Sequence, residues 1–180
     1  METVKADETG LIRTAAALNA GLVAVIPTDT VYGLAARPDF PDAVARLYTI
    51  KGRAEGKPIA LLASGAEAAG RYISPEAAAL ASPRWPGALT VVSRGEGVRV
   101  PDHEWTRRLI AECGGALRVT SANLSGRKDA TDAAEALSDV GLSADIVVDD
   151  GVSPGGVPST VVKVGDDGSV AVLREGAVKL

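Results

Sequence analysis

Short apolar runs rich in β-branched residues alternate along the chain with segments of helical periodicity, and this alternation restricts the possible folds most strongly. The runs "LVAVIP", "PIALLAS", "LTVVS", "GVRVP" and "ADIVVDD" are predicted strands. Residues 9–20, stopped by Gly21, and "PDAVARLYTI", with Pro41 in its first turn, are predicted helices. Near the C-terminus, "STVVKV" and "SVAVLRE" flank "GDDG" as a predicted hairpin. We therefore predict an α/β (α+β) fold with one twisted, mixed β-sheet flanked by helices.

Apolar residues at helical spacing also predict a helix in "TDAAEALSDV". Two further helices are predicted from their first residues. "SPEAAALA" has Ser74 as its cap, and "DHEWTRRLIAEC" has Asp102 as its cap. In the second helix Trp105 and Cys113 share an apolar face, which makes Cys113 a core residue rather than a nucleophile. His103 is expected to be a helix-start residue rather than a general base.

Composition excludes several classes of function. With 180 residues, 46% of them hydrophobic, the chain can bury one sizeable core. A net charge of −4 argues against a broad nucleic-acid surface, so any anion site must be local. One cysteine and one histidine rule out an internal disulfide and the usual Cys/His metal clusters. No apolar run is long enough to span a bilayer, and we expect a cytoplasmic protein.

Small polar residues lie in glycine-containing loops at three predicted strand ends, in "PTDTVYGL", "VTSANLSG" and "GGVPST". Such loops bind phosphates and carboxylates through hydroxyls and backbone N–H groups, although each alone is an ordinary turn sequence. The cationic "KGRAEGKP" adds Lys51, Arg53 and Lys57. On the residues alone, this segment is either a solvated helix end or one wall of a cationic cleft.

In order and spacing, "PTDTVYGLA", "KGRAEGKPIALL", "WPGALTVV", "VRVPDH", "TSANLSG" and "STVV…LREG" resemble the motifs of the YrdC-like family. The resemblance covers residues 10–177 and implies the YrdC-like fold in a single domain. Longer members of the family carry an additional C-terminal domain, and we expect none here.

The resemblance implies a nucleotidyltransferase that condenses L-threonine, bicarbonate or CO2, and ATP into threonylcarbamoyl-AMP with release of pyrophosphate. The product serves tRNA modification at the adenosine next to the anticodon, where other proteins carry out the transfer. No covalent protein nucleophile is implied, because the threonine carbamate itself attacks the α-phosphate. Mg²⁺ is expected to arrive on the ATP phosphates without protein ligands. Neither a membrane nor a broad nucleic-acid partner is expected.

The resemblance also assigns residues by motif. It implies threonine binding by Thr30, Arg99, Thr120 and Ser159, and nucleotide binding by Lys51, Arg53, Lys57, Ser121, Asn123 and Arg174. Two positions depart from the family pattern, Asp29 where Glu is common and Ala88 where Pro is usual. Neither is expected to touch a charged residue of the matched set.

Two alternatives remain at this point. Hydrogenase-maturation proteins contain a related domain that forms carbamoyl-adenylate, but they also carry acylphosphatase-like and zinc-finger segments that this chain has neither the length nor the cysteines to form. A nonenzymatic RNA-binding module would use the cationic cleft alone. The net charge of −4 and the 3% aromatic content, which leaves few stacking platforms, count against it.

Overall fold

A computed structural model of the chain describes residues 1–54 and 56–180. These residues form a ten-stranded mixed sheet with α-helices packed against it. The strands are β1 (Glu2–Lys5), β2 (Ala24–Ile26), β3 (Gly33–Ala36), β4 (Leu61–Ala63), β5 (Leu89–Ser93), β6 (Glu96–Arg99), β7 (Ala116–Ser121), β8 (Ile146–Asp149), β9 (Thr160–Val164) and β10 (Val170–Arg174). The helices are α1 (Glu8–Asn19), α2 (Pro41–Lys51), α3 (Ala66–Gly70), α4 (Pro75–Ala81), α5 (Glu104–Glu112) and α6 (Ala133–Asp139).

The sheet has the strand order β1-β8-β2-β3-β7-β4-β6-β5-β9-β10. β8 is parallel to both β1 and β2, and the pairs β4–β6 and β5–β9 are also parallel. The remaining neighbours are antiparallel, among them the predicted hairpin of β9 and β10. The predicted mixed sheet with helices around it is therefore confirmed.

Alternate residues of the strands enter different parts of the core, as the two-residue period of a strand requires. In β3, Leu34 packs in the cluster beneath α2 and α6, whereas Ala35 packs in the cluster beneath α1 and α5. In β5, Leu89 and Val91 face the cluster that includes α3 and α4. Thr90 between them faces the opposite side of the sheet, where it lines a cleft.

Local signals explain several element boundaries. Pro41 occupies the first turn of α2, which ends at Gly52 in the left-handed conformation, with φ of 59°. Ser74 caps α4 as predicted, with its side chain accepting a hydrogen bond from the Ala77 N–H. None of the helices built by the described residues combines the length and apolar character needed to span a bilayer.

The sequence prediction was wrong at the start of α5 and omitted three elements. His103, not Asp102, is the cap, because its Nδ1 accepts from the Thr106 N–H at 3.3 Å while Asp102 contacts Arg107. The strands β1 and β3 and the helix α3 were not predicted. β1 alternates between exposed and half-buried residues, and the "GLAA" of β3 has no β-branched residue.

Candidate active site

A cleft of about 410 Å³ lies on the face of the sheet opposite to α3 and α4. It gathers segments that are far apart in the sequence, including the turn after β2, the ends of β6 and β7, and the start of β9. Among its lining residues are Thr28, Thr30, Arg53, Thr90, Arg99, Thr120, Ser121, Ser159 and Arg174. Seven of the ten predicted site residues are in this set, whereas Lys51, Lys57 and Asn123 are not among the described residues that line the cleft.

Arg99 is held at the floor of the cleft by three acceptors. Its Nη1 donates to the Thr30 hydroxyl at 2.8 Å, its Nη2 to the Asp29 carboxylate at 2.5 Å, and its Nε to the Gly87 carbonyl at 2.9 Å. Burial lowers the pKa of the Arg99 guanidinium, and the Asp29 charge opposes that shift. The expectation that Asp29 touches no charged residue of the matched set was therefore wrong. Asp29 is the counterion of Arg99.

Thr28 fixes the turn that carries Thr30. Its hydroxyl donates to the Val31 carbonyl at 2.7 Å and lies 3.0 Å from the Thr30 hydroxyl. Since a hydroxyl has one proton to donate, Thr30 donates to Thr28 and accepts from Arg99. One lone pair of the Thr30 oxygen is left for a ligand in the cleft. Thr28 was not singled out in the sequence, although it is the first hydroxyl of the quoted "PTDT" motif.

Ser159 is positioned from two sides. Its hydroxyl lies 2.8 Å from that of Thr90, and Arg174 donates through Nη2 to its carbonyl at 2.7 Å and to its hydroxyl at 3.2 Å. Thr90 is another buried hydroxyl that the sequence analysis did not single out, although it lies within the quoted "WPGALT". The arrangement places Arg174 against Ser159 at the edge of the cleft.

Lys51 lies beneath the loop that follows β7. It is only 3% exposed, and its ammonium group donates to the carbonyl and side-chain oxygens of Ser121 and Asn123. Burial lowers the pKa of Lys51 to about 8. Asn123 also donates to the Arg127 carbonyl at 2.7 Å. In this structure the contacts of Lys51 are therefore with the loop that carries Ser121.

The remaining cations of the "KGRAEGKP" segment have different positions. Arg53 lines the cleft, with its guanidinium donating to the Lys57 and Pro58 carbonyls at 3.2 and 3.1 Å. Lys57 is exposed and meets Arg53 through its backbone carbonyl. The segment thus presents one guanidinium to the cleft, and the side chain of Lys57 lies outside the described lining.

The glycine-containing loop of residues 151–159 crosses directly over the Thr30 turn. Gly155 N–H donates to the Asp29 carbonyl at 3.1 Å, and Gly156 N–H donates to the Thr30 carbonyl at 2.9 Å. A Cβ at Gly155 would lie 2.5 Å from the Asp29 carbonyl oxygen, so the approach requires glycine. At the start of the loop the buried Tyr32 hydroxyl accepts from Asp150 N–H and donates to the Gly151 carbonyl.

Neither Cys113 nor His103 is among the described residues that line the cleft. Cys113 is buried in the core beside α1 and α5, and burial raises the pKa of its thiol to about 11. His103 caps α5, and its Nε2 lies 2.9 Å from the Asp150 carboxylate. Within residues 1–54 and 56–180 there is no group of three or more His, Cys, Asp or Glu side chains that could hold a metal ion.

The protein is an α/β protein with one mixed sheet, and hydroxyls and arginines from separate loops line its cleft. The family model Sua5/YciO/YrdC, described as "Telomere recombination", matches residues 16–176. The chain belongs to this family.

Three relatives illustrate the similarity. Threonylcarbamoyl-AMP synthase from Bos taurus is 33% identical over 89% of this chain and 66% of its own length. The Bacillus subtilis protein of the same name is 32% identical over 93% of this chain and 54% of its own. The structure of P. abyssi Sua5 complexed with L-threonine matches with a TM-score of 0.88 and 29% identity, over 97% of this chain and 57% of that one. The chain thus spans between about half and two thirds of these relatives.

Proposed function

We propose that this protein is a threonylcarbamoyl-AMP synthase, which condenses L-threonine, bicarbonate or CO2, and ATP and releases pyrophosphate. The product would pass to the proteins that modify the adenosine next to the anticodon of tRNA. Two relatives are named threonylcarbamoyl-AMP synthase, and the matching structure of P. abyssi Sua5 is a complex with L-threonine. We place the reaction in the cytoplasm, where ATP and tRNA are present.

One observation carries the proposal. Seven residues assigned to threonine or nucleotide by their motifs lie around a single cleft, although they are spread from Thr30 to Arg174. Three of them are arginines, and none of the described lining residues is Asp or Glu. A cleft of this composition favours a ligand with several negative charges, as ATP and a carbamate have.

The proposed chemistry needs no protein nucleophile. The neutral amine of threonine attacks CO2 and loses a proton, and a carbamate oxygen then attacks the α-phosphorus of ATP while the bond to pyrophosphate breaks. The protein contributes positioning and charge neutralisation, which carry most of the catalysis in phosphoryl-type transfer. Thr30, Thr120, Ser159 and Arg99 are the proposed threonine contacts. The proposed nucleotide residues are Lys51, Arg53, Lys57, Ser121, Asn123 and Arg174, with Lys51 acting through the Ser121 loop.

Mg²⁺ is proposed to enter on the ATP phosphates. This ion keeps several waters and needs few protein ligands, which suits a cleft whose described lining has no carboxylate. When bound, it would neutralise charge on the leaving pyrophosphate. The arginines of the cleft would then orient the phosphate chain.

The test is to incubate the purified protein with ATP, Mg²⁺, bicarbonate and L-threonine and to measure pyrophosphate and the adenylate by mass spectrometry. We expect pyrophosphate only when threonine and bicarbonate are both present. A matched reaction with carbamoyl phosphate in place of bicarbonate and threonine tests the carbamoyl-adenylate alternative. Adenylate formed from carbamoyl phosphate alone, or ATP hydrolysis without an amino acid, would contradict the proposal.

A further inference from the structure

The first turn of α5 contacts two of the segments around the cleft. The buried Thr106 hydroxyl donates at 2.7 Å to the carbonyl of Pro27, which begins the turn that carries Thr30. Three residues earlier, His103 Nε2 lies 2.9 Å from the carboxylate of Asp150, at the start of the glycine-containing loop. One helix end therefore contacts both the Thr30 turn and the loop that crosses it.

The two ring nitrogens of His103 have different partners. Nδ1 accepts from the Thr106 N–H at 3.3 Å and so caps α5. A carboxylate only accepts hydrogen bonds, so Nε2 carries a proton and donates to Asp150. Since capping uses Nδ1 alone, the contact of Nε2 with Asp150 is not needed to start the helix.

The start of the loop is held through its backbone and through one side chain. The Tyr32 hydroxyl accepts from the Asp150 N–H at 3.0 Å and donates to the Gly151 carbonyl at 2.7 Å. The His103 side chain is 14% exposed and that of Asp150 is 42% exposed. The more buried partner, fixed on the helix, thus holds the more exposed one, and with it the first residue of the loop.

The loop passes this position on to a proposed threonine contact. Five and six residues after Asp150, the N–H groups of Gly155 and Gly156 donate to the backbone carbonyls of the turn that carries Thr30. These two hydrogen bonds form only while the loop keeps its path over the turn. Displacement of the loop start would therefore loosen the turn and the Thr30 hydroxyl.

The proposed nucleotide contacts depend less on the start of this loop. Arg53 and Ser121 line the cleft from other segments, between α2 and β4 and at the end of β7. Arg174 contacts the last residue of the loop, Ser159, which directly precedes β9. Loss of the His103 contact should therefore affect threonine more than ATP.

We propose that His103 is a positioning residue for threonine, because its bond to Asp150 fixes the loop that holds the Thr30 turn. This inference rests on the proposed synthase function. One hydrogen bond between partly exposed groups should change KM for threonine by about three- to tenfold. Since the bond supports binding and not the reacting atoms, kcat and KM for ATP should stay within about twofold.

Two variants of His103 separate capping from the contact with Asp150. Asn places an acceptor where Nδ1 lies and is too short to reach Asp150, so His103→Asn keeps the cap and loses the contact. Gln places an N–H group near the position of Nε2, so His103→Gln keeps the contact and weakens the cap. Asp102→Ala is the matched control, because Asp102 lies at the same helix end but pairs with Arg107.

Steady-state pyrophosphate release gives KM for both substrates and kcat. KM for threonine should rise about three- to tenfold in His103→Asn and in Asp150→Ala, and stay within about twofold in His103→Gln and the control. The double variant His103→Asn/Asp150→Ala should match the single variants, because the same contact is lost once. Tm should follow the opposite order, with His103→Gln less stable than His103→Asn, whereas a merely structural role would make KM follow Tm.

Hydrogen exchange of the Gly155 and Gly156 amides in the ligand-free protein gives a readout that needs no activity. Exchange should be about three- to tenfold faster in His103→Asn than in the control. If the unmodified protein releases no pyrophosphate, the proposed function fails, and the exchange rates decide whether His103 positions the loop. Exchange as slow as in the control, a threonine KM unchanged in an active His103→Asn variant, or additive effects in the double variant would overturn the inference.

Discussion

Removal of the Asp29 carboxylate tests the most buried ion pair of the cleft. The Asp29 and Arg99 side chains are 12% and 6% exposed, and their charged atoms are 2.5 Å apart. Asp29→Ala leaves the Arg99 cation in a buried position with only the Thr30 and Gly87 oxygens as acceptors. Breaking one side of a buried pair costs about 3–5 kcal/mol. We expect the lower end, about 3 kcal/mol, because these two neutral acceptors remain.

For a chain of this length, 3 kcal/mol corresponds to a fall in Tm of about 6–12 °C. Asp39→Ala is the matched control, since Asp39 also meets an arginine, Arg37, at 2.5 Å, but with side chains 55% and 23% exposed. An exposed pair contributes at most about 1 kcal/mol, so the control should lose no more than about 4 °C. The measurement is thermal unfolding of both variants by circular dichroism in the same buffer.

The double variant Asp29→Ala/Arg99→Met separates a buried-charge penalty from a general packing defect. With both charges gone, the double variant should be more stable than the sum of the single losses by about 2 kcal/mol. Equal Tm losses for Asp29→Ala and Asp39→Ala, or strict additivity in the cycle, would refute the reasoning.

Four other predictions follow from the same geometry. Arg53→Ala should lower catalytic efficiency by about one to two decades with little change in Tm, and Lys57→Ala, outside the described lining, should lower catalytic efficiency less. Pyrophosphate release and melting curves check both variants. Normal turnover in Arg53→Ala would contradict the assignment. Since burial lowers the pKa of Lys51 to about 8, the unfolded chain binds more protons above that pH, so the Tm of the unmodified protein should rise relative to Lys51→Met between about pH 8 and 10. Hydrogen exchange in residues 151–159 should slow when ATP and threonine are both bound, and unchanged exchange would rule out closure of the loop. The Cys113 thiol should react with a thiol reagent at pH 8 only after denaturation, because its pKa is raised to about 11.

The sequence analysis predicted the helices and strands that have local signals, such as capping residues. It missed strands whose formation depends on burial in the folded protein. The helix α2 has a proline at its start and a glycine just after its end, and these two residues were sufficient to predict where it begins and ends. β3 lies within the sheet, and all four of its residues are buried. Close packing at this position leaves room only for small residues, and small residues such as those of "GLAA" have low strand propensity. Gly33 illustrates this, since a Cβ there would lie 2.5 Å from the Val119 side chain.

The candidate site shows the same division. Seven of the residues assigned by motif line one cleft. The motifs gave no information on which of the assigned side chains face that cleft. Lys51 and Arg53 are two residues apart, yet Lys51 lies under the Ser121 loop and Arg53 lines the cleft. The Asp29–Arg99 pair joins residues 70 apart in sequence, and no local pattern indicates such a contact.

The position of β1 in the sheet affects how the protein is made. Glu2 pairs with Ile146, and β2 also pairs with β8, so this edge needs residues from the last quarter of the chain. At a synthesis rate of about 5–20 residues per second, the ribosome adds residue 146 roughly 7–30 s after the first residues. During that interval the N-terminal strand has no partner in its native sheet. Glu2 and Lys5 are charged, and charged side chains discourage pairing with another strand, both in the nascent segment and at the edge of the finished sheet.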